Sequence, residues 1–583
     1  MASANGGTAL VRRRGGARRA GGLPGDEGAA ARTLFLLLAT ENLLINYTST
    51  AMNVALSALV RDLRTTLTGV QSVISLYALV VAAFLITGSK VGARYGYRRV
   101  FVLGGGVFVL GALISAFGPR LPFMLLGWSL LQGLGVALML PALVAMLTAA
   151  FTGAGRTRAL STLAMTSGIG AAAGPVVGGL ITHYLSWRVS FLLGAGVTLV
   201  VAGLVRRTAG AGPVAARAGG RRFDVLGVVL STSGLALVVV ATLFAGRYGL
   251  LKARQDFTVL GHTLLERGGL SPVALLSGVG LVVLLAFAGW ERHLVRGGGD
   301  PLVRVSVLRD RTVRAGTSTQ LMQVLVPNGA LFLVPVFLQT TLGFDALRCG
   351  IVLLPITVGL LAAAAPTARR IGDGRMSHRA AAMKSFVFMA AGCGAIAVLF
   401  SPQAQGLTAV GLALAPGVLL VGLGRGMATT ITDLIQSAPP PQEVSDVTGL
   451  SRTASYLGGA FGVALAGALL TPALLYAFEA GVRDSGVLTS AQKQQATRTL
   501  EQQVQVTAAS DDVLRAKVTA RGFTGAAADE LVRINAQARE QALTVSVTGM
   551  AVLAFAGRLV ARRIPPSPQP DRGGVPSPPG RDS

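Results

Sequence analysis

Fourteen stretches of about 20 mainly apolar residues, parted by short polar breaks, fill most of this 583-residue chain. They run roughly over 33–60, 68–89, 100–118, 121–150, 159–185, 187–206, 223–246, 271–290, 314–341, 349–368, 380–400, 407–432, 448–478 and 542–561. Runs of that length match a hydrocarbon core of about 30 Å when helical, and a helix satisfies every backbone group within itself. Only 13% of the residues are charged, against about 25% in a typical soluble domain. The expected fold class is therefore an all-α polytopic membrane protein. A soluble enzyme, a fibrous protein and a disulfide scaffold are excluded, the last because Cys349 and Cys393 are the only cysteines.

The formal net charge of +27 would point to nucleic acid in a soluble protein, so its placement matters. With the N-terminus inside, the short inner loops collect Lys90, Arg94, Arg98, Arg99, Arg156, Arg158, Arg206, Arg207, Arg369, Arg370, Arg375 and Arg379 among others. The short outer loops hold far fewer, for example Arg61, Arg64, Arg120 and Arg188. That bias orients a plasma-membrane protein with both termini cytoplasmic, and it assigns the charge to topology and anionic lipid rather than to nucleic acid. Residues 1–31, with Arg12, Arg13, Arg14, Arg18 and Arg19, read as a disordered basic arm, and 564–583 as a disordered Pro/Gly-rich tail. The long polar segment 479–541, with Val504, Val513 and Leu514 at helical spacing, predicts a small helical cap outside the membrane.

Two motifs punctuate the first half. The loop after the second span carries Gly88, Lys90, Arg94, Gly96, Arg98 and Arg99, where glycines permit close approach and cations meet helix ends or phosphates. The fifth span carries Gly170, Gly174, Pro175, Gly178 and Gly179. Small residues four apart give a face without bulk, and the proline frees a backbone carbonyl.

Together with Thr50-Ala51-Met52-Asn53 on the first span, Gln132-Gly133-Leu134-Gly135 on the fourth and the Trp187-Arg188 turn, these segments resemble the major facilitator superfamily. The Gly-Pro-Gly-Gly run is similar to the signature of its fourteen-helix drug:proton antiporter branch. That resemblance covers about residues 33–563. It implies a major facilitator fold, with a six-helix bundle over 32–207, a linker with two inserted helices over 208–300, and a second six-helix bundle over 301–563. It also implies alternating access around a central cavity, with 88–99 as the cytoplasmic gating loop and the Gly-Pro-Gly-Gly face as close helix packing. Three positions depart from the pattern: Ala93 and Thr48 stand where the family carries an aspartate, and Ser129 where it often carries an arginine.

A transported proton needs an acid inside the membrane. Glu41 lies well inside a span, on the order of 12 Å from its inner end, whereas Asp224, Glu291, Asp433 and Glu479 and the four histidines lie at span ends or in loops. Arg425 lies at nearly the same depth, about 10 Å in on the twelfth span, and is expected to meet Glu41 across the cavity or to share a substrate with it. Asn42, Asn46, Ser49 and Asn53 continue a polar stripe on the first span, and Gln132, Gln320 and Gln323 add polar groups from the fourth and ninth. Each could bond a substrate or a neighbouring helix.

No nucleotide loop, nucleophile triad or metal-ligand cluster is present, so no enzyme, cofactor or metal is expected. The expected function is export of small amphipathic molecules, a drug or a metabolite, by a monomer exchanging protons through Glu41. An uncoupled facilitator of the same fold and a transport-inactive membrane scaffold or sensor are the alternatives.

Overall fold

The computed structural model of the chain describes residues 25–566 apart from 152, 208–223, 250, 254, 260–261, 300, 303, 400–405, 439–443, 503–510 and 521. Residues 1–24 of the basic arm, 208–223 of the linker and the tail beyond 566 lie outside the described residues, while 25–31, expected to be part of the disordered arm, are helical as the start of α1. Fourteen long helices follow in order: α1 (Gly25–Ala51), α2 (Leu67–Tyr95), α3 (Tyr97–Phe117), α4 (Leu121–Ala150), α5 (Gly153–Tyr184), α6 (Trp187–Arg207) and α7 (Val225–Tyr248). Then come α8 (Pro272–Arg296), α9 (Arg311–Thr340), α10 (Ala346–Gly372), α11 (His378–Leu399), α12 (Leu407–Ala428), α13 (Val444–Asp484) and α14 (Ala526–Ala561). A small antiparallel hairpin, β1 (Phe257–Val259) with β2 (His262–Leu265), joins α7 to α8, an addition to the all-helical expectation.

Local chemistry sets the helix ends. Thr66, Ser271, Asp310 and Asp345 each accept a backbone N–H in the first turn of α2, α8, α9 and α10. Between α2 and α3 the chain turns through Gly96 at φ +95°, a conformation an L side chain rarely adopts.

Among the described residues, twelve helices are long and apolar enough to cross a membrane. α1 and the short helix Leu56–Asp62, bent by 71° at the intervening residues, are together long and apolar enough for a thirteenth. The first span is thus broken, where the sequence predicts one helix over 33–60. The predicted span 223–246 is α7, whose shorter apolar stretch is Val225–Val238. The described part of 479–541 is helical as expected, Val504 lying outside the described residues: α13 and α14 run on beyond their apolar parts, and Ser490–Gln502 and Asp511–Thr519 pack against them. Leu514, Phe478, Val482, Phe523, Leu531 and Ile534 form the core of this extension. Burial of these side chains favours two continued helices over a floppy loop.

The helices pack by one rule used twice. α1 packs on α5 and α6, α2 on α4, and α3 on α4 and α6. Likewise α9 packs on α13 and α14, α10 on α12, and α11 on α12 and α14. The halves meet along α2 with α13 and α5 with α10, while α7 and α8 pair with each other and α7 lies against α2 and α13.

Sequence echoes this repeat. Gly133 and Gly135 of α4 sit against Val80 of α2 and Gly104 of α3; Gly422 and Gly424 of α12 sit against Ile356 of α10 and Ser385 of α11. Gly170 of α5 abuts the Leu43 carbonyl of α1, and Gly458 of α13 abuts the Leu321 carbonyl of α9. At all of these glycines but Gly133, which meets the Val80 side chain, an added side chain would strike backbone, so the small residue fixes the interhelical distance.

Candidate functional site

The polar groups of α1 face different neighbours. The Glu41 side chain is fully buried, and its Oε1 accepts a hydrogen bond of 2.9 Å from the Thr198 hydroxyl of α6, itself fully buried. Glu41 Oε2 has no partner among the described residues. One residue on, Asn42 Nδ2 donates to α5: to the Leu163 carbonyl at 2.9 Å, Thr166 Oγ1 at 3.1 Å and Ser167 Oγ at 2.6 Å. Asn46 and Ser49 turn back on their own helix, donating to the carbonyls of Asn42 and Asn46. Asn53 lies in the bend rather than on a straight stripe, with Oδ1 buried and without a partner. The break therefore takes Asn53 off the polar row that helical spacing predicts.

Gln132 is fully buried on α4, and neither amide atom has a partner among the described residues. It ends a stretch, Leu125–Gln132, where the helix widens to π-type hydrogen bonding, a local irregularity often found at functional sites. Trp128 in that stretch stacks near Tyr77 of α2, with ring centroids 5.7 Å apart, and meets Phe191 of α6 at 5.7 Å. Ser129 donates to the Val73 carbonyl at 2.8 Å, and Thr48 to the Leu44 carbonyl at 2.9 Å, so two of the three positions that depart from the family pattern are bonded to backbone.

The second half holds a hydrogen-bonded cluster. Gln320 Nε2 donates to Thr432 Oγ1 at 3.1 Å and Ser455 Oγ at 2.9 Å, and its Oε1 accepts from Ser451 Oγ at 2.6 Å. Gln323 Nε2 donates to Ser385 Oγ at 2.7 Å, while its Oε1 has no partner. Arg425 belongs to the same interior. Its neighbour Gly424 abuts the Ser385 carbonyl, and its own Nη1 is buried without a partner among the described residues.

Glu41 and Arg425 form no ion pair here, contrary to the meeting across a cavity predicted from their depth. The acid faces α6 inside the first bundle, and Arg425 lies on a helix packed on α10 and α11 inside the second. Depth along a helix places a residue vertically, but only packing settles the direction of its side chain.

The glycine motif of α5 joins the halves. Gly170, Gly174 and Gly178 lie against Leu43, Thr50 and Ala51 of α1, whereas Gly179 abuts the Ala346 carbonyl of α10 and the Pro175 carbonyl abuts Gly350. Pro175 has no N–H for the carbonyl one turn back, at Ala171, and Thr50 Oγ1 donates there at 3.0 Å. Thr357 of α10 donates to the adjacent Ala172 carbonyl at 3.0 Å. In the basic loop, Gly88 abuts the Ala137 carbonyl of α4. Arg98 donates to the carbonyls of Val205 and Arg206 at the end of α6, a favourable place for a cation. Lys90 is half-buried, and Arg94 and Arg99 are exposed.

A major facilitator superfamily model matches residues 42–463. The chain belongs to the major facilitator superfamily. It is 30% identical over 451 residues to the puromycin resistance protein pur8 of Streptomyces alboniger, covering 76% of this chain and 82% of that protein. It is 29% identical over 442 residues to the tetracenomycin C resistance and export protein of Streptomyces glaucescens, covering 75% of each. It is 26% identical over 440 residues to the multidrug efflux pump LfrA of Mycolicibacterium smegmatis, covering 75% and 80%. Among solved structures, a bacterial homologue of the human lysosomal transporter Spinster, inward-facing and unoccupied, superposes with a TM-score of 0.58 at 14% identity, covering 93% of this chain and 98% of that one. The shared architecture is that of a membrane transporter, and superfamily members are not enzymes.

Several polar groups escape the sequence reading. Thr198, Ser385, Thr432, Ser451 and Ser455 are hydroxyls in apolar runs, indistinguishable by type from those that bond their own helix. Arg452 did carry a signal. It falls near the start of the span predicted over 448–478 and so reads as a helix-end charge, yet α13 begins at Val444 and Arg452 lies about 12 Å along it.

Proposed function

We propose that this transporter exports small amphipathic molecules, an antibiotic or other metabolite, from the cytoplasm across the plasma membrane in exchange for protons. The relatives named for antibiotic resistance, export and multidrug efflux support the export direction and the substrate class. One observation carries the proton coupling: Glu41 is a fully buried acid with one oxygen held by Thr198 and the other unpartnered. An ionised carboxylate so placed lacks the compensation that buried charges need, so the neutral form suits this conformation. Release of the proton requires α1 and α6 to admit water. The chain works as a monomer with both termini cytoplasmic, lipid and proton being its other partners.

The state is inward-open on this reading. With the expected orientation, bonds between the halves concentrate on the outer side and near mid-membrane: Gln339 Oε1 accepts from Ser57 N at 2.7 Å, Gln71 donates to the Val463 carbonyl at 2.9 Å, and His183 meets Asp345 at 3.3 Å. Rocking of the halves about such contacts gives alternating access.

The test is transport by purified protein in proteoliposomes under an imposed pH gradient. Glu41→Gln should remove the pH-driven component and leave substrate counterflow. PH-driven transport equal to wild type would remove Glu41 from the mechanism. The uncoupled facilitator draws on the backbone bonds at Thr48 and Ser129, where the family carries charges, and wild-type counterflow indifferent to the gradient would establish it.

A further inference from the structure

We infer that Arg452 of α13, with the hydroxyls of Tyr456 and Tyr77, forms a subsite for the acidic group of an aromatic or amphipathic organic anion. The argument begins with the faces of α13. Gly449 and Thr453 lie against Ile86 and Ala82 of α2; Ser451, Ser455 and Gly458 face Gln320 and Leu321 of α9; Leu457 and Ala468 share apolar clusters with residues of α7. At 100° per residue, Arg452 falls between the α2 face and the α9 face and nearly opposite the α7 face. Since α2 and α9 belong to different halves, that direction is the cleft between them.

Arg452 is half-buried and makes no hydrogen bond or ion pair with a described residue. Tyr456, one turn further on, lies within electrostatic reach of both Arg452 and Tyr77. The Tyr77 hydroxyl is the independent sign of a ligand: the side chain is only 3% exposed, yet its oxygen has no partner among the described residues. An oxygen in that position lacks a hydrogen bond that buried polar groups normally make, and a bound oxyanion would supply the acceptor. A guanidinium with two phenolic donors matches a carboxylate or an acidic enol.

The helical frame does not require this arginine. Matching Gly458 to Gly170 across the repeat brings Arg452 onto Ala164 of α5. The inference rests on the export reading, because a cleft-facing cation acts on whatever molecule passes through.

Binding to the purified full chain in phosphatidylcholine nanodiscs tests it without requiring transport. The probes are 2-naphthoate and 2-naphthamide, which differ in charge and little in shape. Wild type should bind the acid at least about ten-fold tighter, a difference of about 1.4 kcal/mol. Arg452→Gln should reduce that preference to near unity while leaving the amide's affinity unchanged, which also reports an intact fold. Arg452→Lys should keep part of the preference, and Tyr77→Phe should weaken the acid alone. No preference in wild type, or an undiminished preference in Arg452→Gln, overturns the inference. Loss of the preference when phosphatidylglycerol replaces part of the lipid assigns the cation to a headgroup and overturns it likewise. Charge-selective binding without transport in vesicles would overturn the export reading and leave the subsite standing.

Discussion

The two halves solve the same packing problem and then part company in their charges. Asn42 of α1 ties to Leu163 and Ser167 of α5; Gln320 of α9 ties to Ser451 and Ser455 of α13, at matching places in the repeat. The next positions differ. Where the first half has Glu41 bonded to Thr198, the second has Thr319, whose hydroxyl returns to the Ala315 carbonyl of its own helix. Where the first half buries Val136 on α4, the second has Arg425 on α12. A repeated frame can be maintained by glycines and amides alone, so a charge found in one half and absent from the other is not there for the frame. Intramembrane charges are costly, and their retention is by default functional.

Four measurements sharpen or break that contrast. The largest effect belongs to Glu41→Gln, which should bring pH-driven transport to the level of protein-free vesicles while Thr319→Ala in the second half leaves it near wild type. Equal losses would mean that both positions serve the frame. Next, Gly170→Leu and Gly458→Leu should each be strongly destabilising, because the new side chain meets a backbone carbonyl rather than a movable group. Overpacking typically costs about 1–3 kcal/mol, read as a lowered Tm in detergent, and a harmless Gly458→Leu would show that the second half is the looser one. Third, Arg425→Met should leave Tm unchanged or raise it, since replacing an unsatisfied buried charge by an apolar side chain is often neutral or better. Transport should fall on the order of ten-fold if the charge is functional; unchanged transport would make Arg425 a passive difference between the halves. The smallest effects are those of Asn42→Leu and Gln320→Leu, about 0.6 kcal/mol each as for single interhelical hydrogen bonds in membranes. A clear inequality between the two would show that the matching links are not equivalent.

Much of this was legible beforehand in the apolar runs, the basic inner loops and the glycine motif. Helix positions followed because hydrophobic length is read directly along the chain, as the turn between α5 and α6 at Trp187 illustrates. Side-chain direction was not. Glu41 and Arg425 share a depth, but whether an inward helix face meets a cleft or its own bundle depends on neighbours far away in sequence. The break after Ala51 was also hidden, since residues 52–55 contain neither proline nor glycine. Arg452 falls near a span end by its sequence position, because an apolar run locates a helix end only to within a turn.

The proline of α5 has a mechanical consequence. Its missing N–H leaves the Ala171 carbonyl to a hydroxyl from the same half, while the neighbouring Ala172 carbonyl takes one from the opposite half. When the halves swing apart, Thr357 can return its proton to a carbonyl on its own helix and water can take its place on Ala172, with no polar atom stranded at any stage. The seam between α5 and α10 can thus act as a hinge that opens without tearing.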